Sequence, residues 1–223
     1  MIDRIKKIAE EEMKECAAHD LDHVMRVHAL CKSIAKKEKD VDLEILEIAT
    51  LLHDVGKDKE NNDKSGATDH AVVGVERAEE ILREIGYLEE KIDLVKQCIL
   101  THRYRAGREP KSLEAKILFD ADKLDSLGAI GIARSFAWIG KHRAKVYKKV
   151  ADLDRYIDEN MEGHNKGKIQ DKSIHSVQIE YDIKQRDLLE KFYTKSARKI
   201  AEKRHEYFKD FLDRLEREIL GEE

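Results

Sequence analysis

Apolar residues recur at steps of three and four along almost the whole chain, and no convincing two-residue alternation appears. That is the pattern of amphipathic helices rather than strands. The repeats predict helices near 2–17, 21–38, 42–56, 69–86, 89–102, 112–139, 144–160, 175–192 and 194–219. Polar stretches separate them: Lys57 to Thr68, Arg103 to Lys111 around the single proline, and Met161 to Ser173. Asp20, Asp42, Asp69 and Ser112 each precede an apolar-periodic run and suit N-caps, whose side-chain oxygens accept the free N–H groups of a first turn. The expected fold class is all-α.

Within these predicted helices, ionisable residues stand on apolar faces. His23 shares a face with Val27, Leu30 and Ile34, and His70 lines up with Gly74, Ala78, Ile81 and Ile85. His53, followed by Asp54, continues Leu46 and Ala49; His102 follows Ile92, Val95 and Ile99; Asp122 follows Ala115 and Leu118. One inward histidine is ordinarily a core residue bonded to a carbonyl. Several histidines together with two aspartates are different, because an unpaired buried carboxylate costs on the order of several kcal/mol. A shared divalent cation offsets that charge and uses the imidazole lone pairs. The pair His53-Asp54 closes its apolar run and is followed by Gly56 and Lys57, which predicts a helix stop with Lys57 beside the centre. That lysine suits either an anionic substrate group or the negative end of the helix dipole. The other such pair, His19-Asp20, precedes a helix and reads as a structural cap.

Composition narrows the class. A chain of 223 residues can form one large or two modest domains without disulfides. Charged residues make up 40% and proline occurs once, which favours long helices with ion-paired faces. The formal net charge of -4, with acids and bases intermixed, offers no broad basic surface to DNA or to a membrane. Cys16, Cys31 and Cys98 have no paired spacing and read as reduced thiols, the last two as small buried hydrophobes. No apolar stretch has the length of a membrane span and the N-terminus lacks a signal-peptide core, so a cytoplasmic protein is expected. Neither a Gly-rich phosphate loop nor a serine nucleophile elbow is present in the sequence. An apolar stripe of Ile200, Tyr207, Phe211, Leu215 and Ile219 near the end could pack on the core or on a second copy, which leaves room for a homodimer.

His23 in HVMRV, His53-Asp54 in LLHDVGK and Asp122 in FDADKLDSLGAIG resemble the H…HD…D pattern of the HD superfamily of metal-dependent phosphohydrolases. The resemblance spans roughly residues 18–140, and EAKILFDADKLDSLGAIGIARSF is similar to the YedJ-like branch of predicted HD hydrolases. It implies an HD-domain helical bundle over 1–143 and a helical C-terminal extension over 144–223 packed on it. It also implies metal ligation by His23, His53, Asp54 and Asp122, with Asp54 helping to activate water. The implied reaction is hydrolysis of a small phosphorylated substrate, a nucleotide or related phosphate ester.

His70 and His102 are similar to the extra histidines of two-metal members, in which Asp54 would bridge two ions. Arg103 follows His102 where those members have a second histidine, so the pair could instead bind phosphate. One or two divalent ions are implied, from manganese, iron, cobalt, nickel, zinc or magnesium. An imidazole and carboxylate set without thiolate favours the first five over an all-oxygen magnesium site. Lys57, Arg26 and Arg103 are candidate phosphate contacts, with Lys57 a catalytic candidate beside Asp54. Arg105 and Arg108 extend that basic cluster, and Asp125 could orient a ligand histidine or form an ion pair. The polar loop after Lys57 is a candidate lid. Two alternatives remain: an HD-type di-iron oxygenase, and a nucleotide-binding regulatory protein with weak turnover.

Overall fold

The computed structural model describes residues 1–13, 21–65, 67–103, 107–161 and 169–222. Its α-helices are α1 (Ile2–Glu12), α2 (Leu21–Ala35), α3 (Leu43–Leu52), α4 (Lys57–Asn62), α5 (His70–Glu84), α6 (Glu89–Thr101), α7 (Leu113–Leu124), α8 (Gly128–His142), α9 (Leu153–Met161), α10 (Val177–Glu180) and α11 (Lys195–Leu220). Among the described residues no strand forms, so the protein is all-α as the periodicity requires. The expected cap at Asp20, and Cys16 and Arg105, lie outside the described residues. The other three caps form. Asp42 accepts from Glu44 N and Ile45 N, Asp69 from Ala71 N, and Ser112 Oγ from Ala115 N.

The chain divides into two compact units, and the first comprises Met1–Lys123 with Tyr193–Ala197. Its centre is α3, which buries Ile45, Leu46, Ile48, Ala49, Thr50, Leu51 and Leu52, nearly its whole circumference. A helix buried all round must be enclosed by others: α1, α2 and α6 pack on α3, and α5 packs on α6. Cys31 and Cys98 are buried free thiols, and burial pushes both up to about 12, so neither is a thiolate at neutral pH. The returning segment is held by Asp120 of α7. This buried carboxylate accepts from Tyr193 N (2.9 Å), Thr194 N (2.7 Å) and Thr194 Oγ (2.7 Å).

The second unit comprises Leu124–Phe192 and Arg198–Glu223. Ile132 and Ile139 of α8, Val177, Tyr181, and Phe208 and Leu212 of α11 form one apolar cluster in it; Tyr156, Ile157, Met161 and Ile179 form another. Among the described residues no helix is long and apolar enough to cross a membrane.

Several expected helix bounds are corrected. The run at 112–139 is two helices, because Leu127 is extended and Gly128 takes φ +68. A side chain at Gly128 would also press on Arg204, 3.0 Å from its Cγ. Residues 144–152 are not helical: Arg143 closes α8 in a left-handed conformation and Lys145 N then donates to His175 O. The span 175–192 breaks into α10, a π turn at Tyr181–Gln185 and a 3-10 turn at Leu188–Lys191. In α11 the buried apolar positions are Ala197, Ala201, Phe208 and Leu212; of the expected stripe, Phe211 and Leu215 are partly buried against the same cluster, whereas Tyr207 and Ile219 are exposed. Conversely, the polar run after Gly56 contains α4, and its following turn is pinned by Asp63, which accepts from Ser65 N and Thr68 N.

Candidate metal centre

Five helices deliver the inward residues. His23 lies in the first turn of α2, His53 caps the C-terminus of α3, His70 opens α5, His102 caps the C-terminus of α6, and Asp122 lies in α7. Asp54 sits in the tight turn between α3 and α4. That turn can approach α5 because residue 56 is glycine: a Cβ there would stand 2.3 Å from His70 O and 2.6 Å from Gly74 N. Backbone contact of this closeness is open only to glycine, and it brings the His53-Asp54 turn against the start of α5.

The side chains meet in two groups that share Asp54. His23, His53 and Asp54 offer ligand atoms within 4.8 Å of one another, and so do Asp54, His70 and His102. Asp54 Oδ2 is 3.8 Å from both His23 Nε2 and His53 Nε2, whereas Oδ1 is 3.4 Å from His70 Nε2 and 3.7 Å from His102 Nε2. Asp122 reaches the first group through His23, its Oδ1 3.3 Å from His23 Nε2, and is not among the residues whose ligand atoms all lie within 4.8 Å of one another. One carboxylate thus turns one oxygen to each group. His23, His53, Asp54, His70 and His102 are all buried, and Asp122 is partly buried.

The histidine tautomers follow from their other ring nitrogens. His53 Nδ1 donates to Thr50 O (2.7 Å) and His102 Nδ1 to Ile99 O (2.5 Å), since a carbonyl only accepts. His70 Nδ1 faces Glu60 Oε2 at 2.9 Å, and a carboxylate likewise only accepts. With Nδ1 carrying the ring proton, His53 and His102 each turn an Nε2 lone pair to the centre, and His70 does the same when its Nδ1 proton goes to Glu60. Burial holds His53 down to about 4, against the opposing pull of Asp54, and burial also lowers His70. His53 Nε2, fully buried, has no hydrogen-bond partner among the described residues. A buried acceptor without a partner costs about 1–3 kcal/mol, and a cation removes that cost.

Three of the six contacts have the spacing of ligands on one ion, and the 3.7–3.8 Å contacts of Asp54 with His102, His23 and His53 are wider. Ligands ~2.1 Å from one metal stand ~3.0–3.4 Å apart at octahedral or tetrahedral angles. His70 Nε2 and His102 Nε2 are 3.1 Å apart, and the His23–Asp122 and His70–Asp54 contacts are 3.3 and 3.4 Å. Burial acts to raise the Asp122 carboxyl, but the Lys123 ammonium and the His23 imidazole outweigh it and hold Asp122 well below the usual carboxylate range. It is ready to act as an anionic ligand.

A carboxylate that the sequence reading passed over organises the surroundings. Glu60 Oε2 is 2.9 Å from Lys57 Nζ as well as from His70 Nδ1, and Glu60 Oε1 is 2.7 Å from Arg103 Nη1. Asp69 pairs with Arg103 and Arg108, each at 2.9 Å. Lys57 and Arg103 are thus gathered beside the His70 side of the centre, and Lys57 opens a helix rather than following one. Within the segment expected as a lid, Glu60 makes three of these contacts. Burial works to raise Glu60, but the His70 hydrogen bond and the Lys57 charge reverse this and keep it ionised. Arg26 lies one turn after His23, half-buried. Asp125 is buried and ion-paired with Arg134 at 2.7 Å.

Comparison with known proteins gives the family and the fold. The HD domain family model matches residues 20–127. The uncharacterized protein YpgQ of Bacillus subtilis is 31% identical over 211 residues, covering 93% of this chain and 87% of that protein. The solved structure of YpgQ in complex with ADP has a TM-score of 0.70 at 27% identity, covering 97% of this chain and 94% of that one. A predicted HD superfamily hydrolase from an uncultured Thermotogales bacterium has a TM-score of 0.63 at 29% identity, covering 97% and 91%. The chain belongs to the HD-domain family, the HD superfamily of hydrolases.

Proposed function

We propose that this centre binds divalent metal and hydrolyses a small phosphorylated substrate, a nucleotide or related phosphate ester. The observation that carries the reading is the fully buried His53 Nε2 lone pair, fixed in direction by the Thr50 carbonyl and aimed beside Asp54 and His23. In this reading His23, His53, Asp54 and Asp122 hold one ion, and Asp54, His70 and His102 hold a second. A bound divalent ion supplies a water of near-neutral pKa and screens the charge of a phosphoryl group. Asp54, with one oxygen toward each group, would orient that water and take its proton. Lys57 and Arg103 receive the phosphoryl oxygens, the guanidinium in a geometry suited to two of them. Arg26, one turn from His23 on α2, is a further candidate phosphate contact. The ADP complex of YpgQ supports a nucleotide as the substrate class.

The test is a panel of nucleotides and simple phosphate esters incubated with the full chain and manganese, followed by detection of released phosphate or nucleoside. Turnover that requires the added metal and is abolished in Asp54→Ala is the expected result. Substrate-dependent oxygen uptake by an iron-loaded protein, without phosphate release, would overturn the reading in favour of an oxygenase.

A further inference from the structure

The contacts of Glu60 pose a choice of tautomer for His70. Its Nδ1 is 2.9 Å from Glu60 Oε2 but also 3.2 Å from Lys57 Nζ. Two arrangements compete. With the ring proton on Nδ1, His70 donates to Glu60, Lys57 pairs with the same carboxylate at 2.9 Å, and Nε2 is a lone pair 3.4 Å from Asp54 Oδ1. With the proton on Nε2, Nδ1 would accept from Lys57, and Nε2–H would donate to His102 Nε2 at 3.1 Å. The second arrangement is self-satisfied and closes the His70–His102 pair to any ligand. It also sets the Nδ1 lone pair against a carboxylate oxygen at 2.9 Å, a repulsive contact in a buried place.

We propose that Glu60 is the positioning residue that sets the tautomer of His70, keeping Nε2 a lone pair and the His70–His102–Asp54 group open to an ion. This rests on the two-ion reading above and assigns the control of its second position. A carboxylate behind a ligand histidine fixes the ring and raises its basicity. Here the same carboxylate withholds Lys57 from the ring and holds Lys57 and Arg103 as a unit. One side chain then sets the His70 ring and Lys57, and shares Arg103 with Asp69. Removing it would leave Lys57 as the nearest hydrogen-bond partner of Nδ1 and convert the second group into an internal hydrogen bond.

Two measurements on the full chain test this. The first is 15N NMR of the histidine rings in metal-free protein, for wild type, Glu60→Gln and Glu60→Ala. Wild type and Glu60→Gln, whose amide oxygen still accepts, are expected to carry the His70 proton on Nδ1; Glu60→Ala is expected to carry it on Nε2. The second is manganese titration. Glu60→Ala should keep the first equivalent and bind the second about 10–100-fold more weakly, with Glu60→Gln close to wild type and His70→Ala lacking the second equivalent. An Nδ1 proton in Glu60→Ala, or an unweakened second equivalent there, overturns the proposal. A single equivalent in wild type overturns the two-ion reading and the ion-binding half of the proposal, while the ring tautomers still decide what Glu60 does.

Discussion

His70 Nε2 and His102 Nε2 face each other at 3.1 Å, although each ring commits its proton elsewhere, to Glu60 Oε2 and to the Ile99 carbonyl. Two buried lone pairs at that distance repel, and a cation between them and Asp54 Oδ1 turns the repulsion into coordination. His70→Ala and His102→Ala are each expected to lose the second manganese equivalent while keeping the first. Calorimetric titration of the two variants against wild type checks this.

Stability of the metal-free protein should fall with acid before any carboxylate titrates. His53 is held down to about 4 in the folded chain and returns to about 6.5 on unfolding. Between those values the unfolded chain binds the extra proton, so stability rises with pH through that window and is lost as pH falls. His70 is lowered too and acts in the same direction. Urea denaturation with chelator present should give a stability about 2 kcal/mol lower at pH 5 than at pH 7. In His53→Gln most of that slope should be gone.

Gly56→Ala would drive a methyl group into the backbone of α5, 2.3 Å from His70 O. Backbone cannot rotate away as a side chain can, so the turn and α5 must separate. The expected cost is about 2–3 kcal/mol in thermal or urea unfolding. A weakened second metal position should accompany it, because Asp54 and His70 stand on opposite sides of that contact.

Asp120 and Asp122 are two residues apart and should behave in opposite ways. Asp120→Ala strips Tyr193 N, Thr194 N and Thr194 Oγ of their acceptor. It should cost about 3 kcal/mol of stability while metal binding persists. Asp122→Ala should weaken the first metal equivalent with little loss of stability. Paired unfolding and metal titration on the two variants separates the roles.

Much of this was legible in the sequence because the centre is built on helical faces. A histidine at the buried spacing of α2, α5 or α6 can be read from its apolar neighbours, and so can Asp122 from Ala115 and Leu118. Glu60 was not legible. It sits in KDKENN, which has no apolar residue, so periodicity is silent on both α4 and its inward contacts. Asp120 was equally hidden, because its partners are backbone groups more than 70 residues away.

The misread helices share one cause: local pattern overridden by tertiary contacts. The break between α7 and α8 depends on a positive φ at Gly128, invisible in a run of small and apolar residues. The segment 175–192 has helical charge spacing. Yet His175 is buried with its ring between Tyr156 Oη (2.9 Å) and Glu180 Oε2 (3.0 Å), tertiary contacts that the local charge spacing does not reveal.

Metal content of the full chain loaded with manganese and then desalted, wild type beside His53→Ala, tests the central claim most directly, with circular dichroism on both. Wild type is predicted to retain manganese, and the variant to lose the ion that His53 holds while keeping its helical signal. Equal metal content in wild type and a helical His53→Ala would contradict the centre described above.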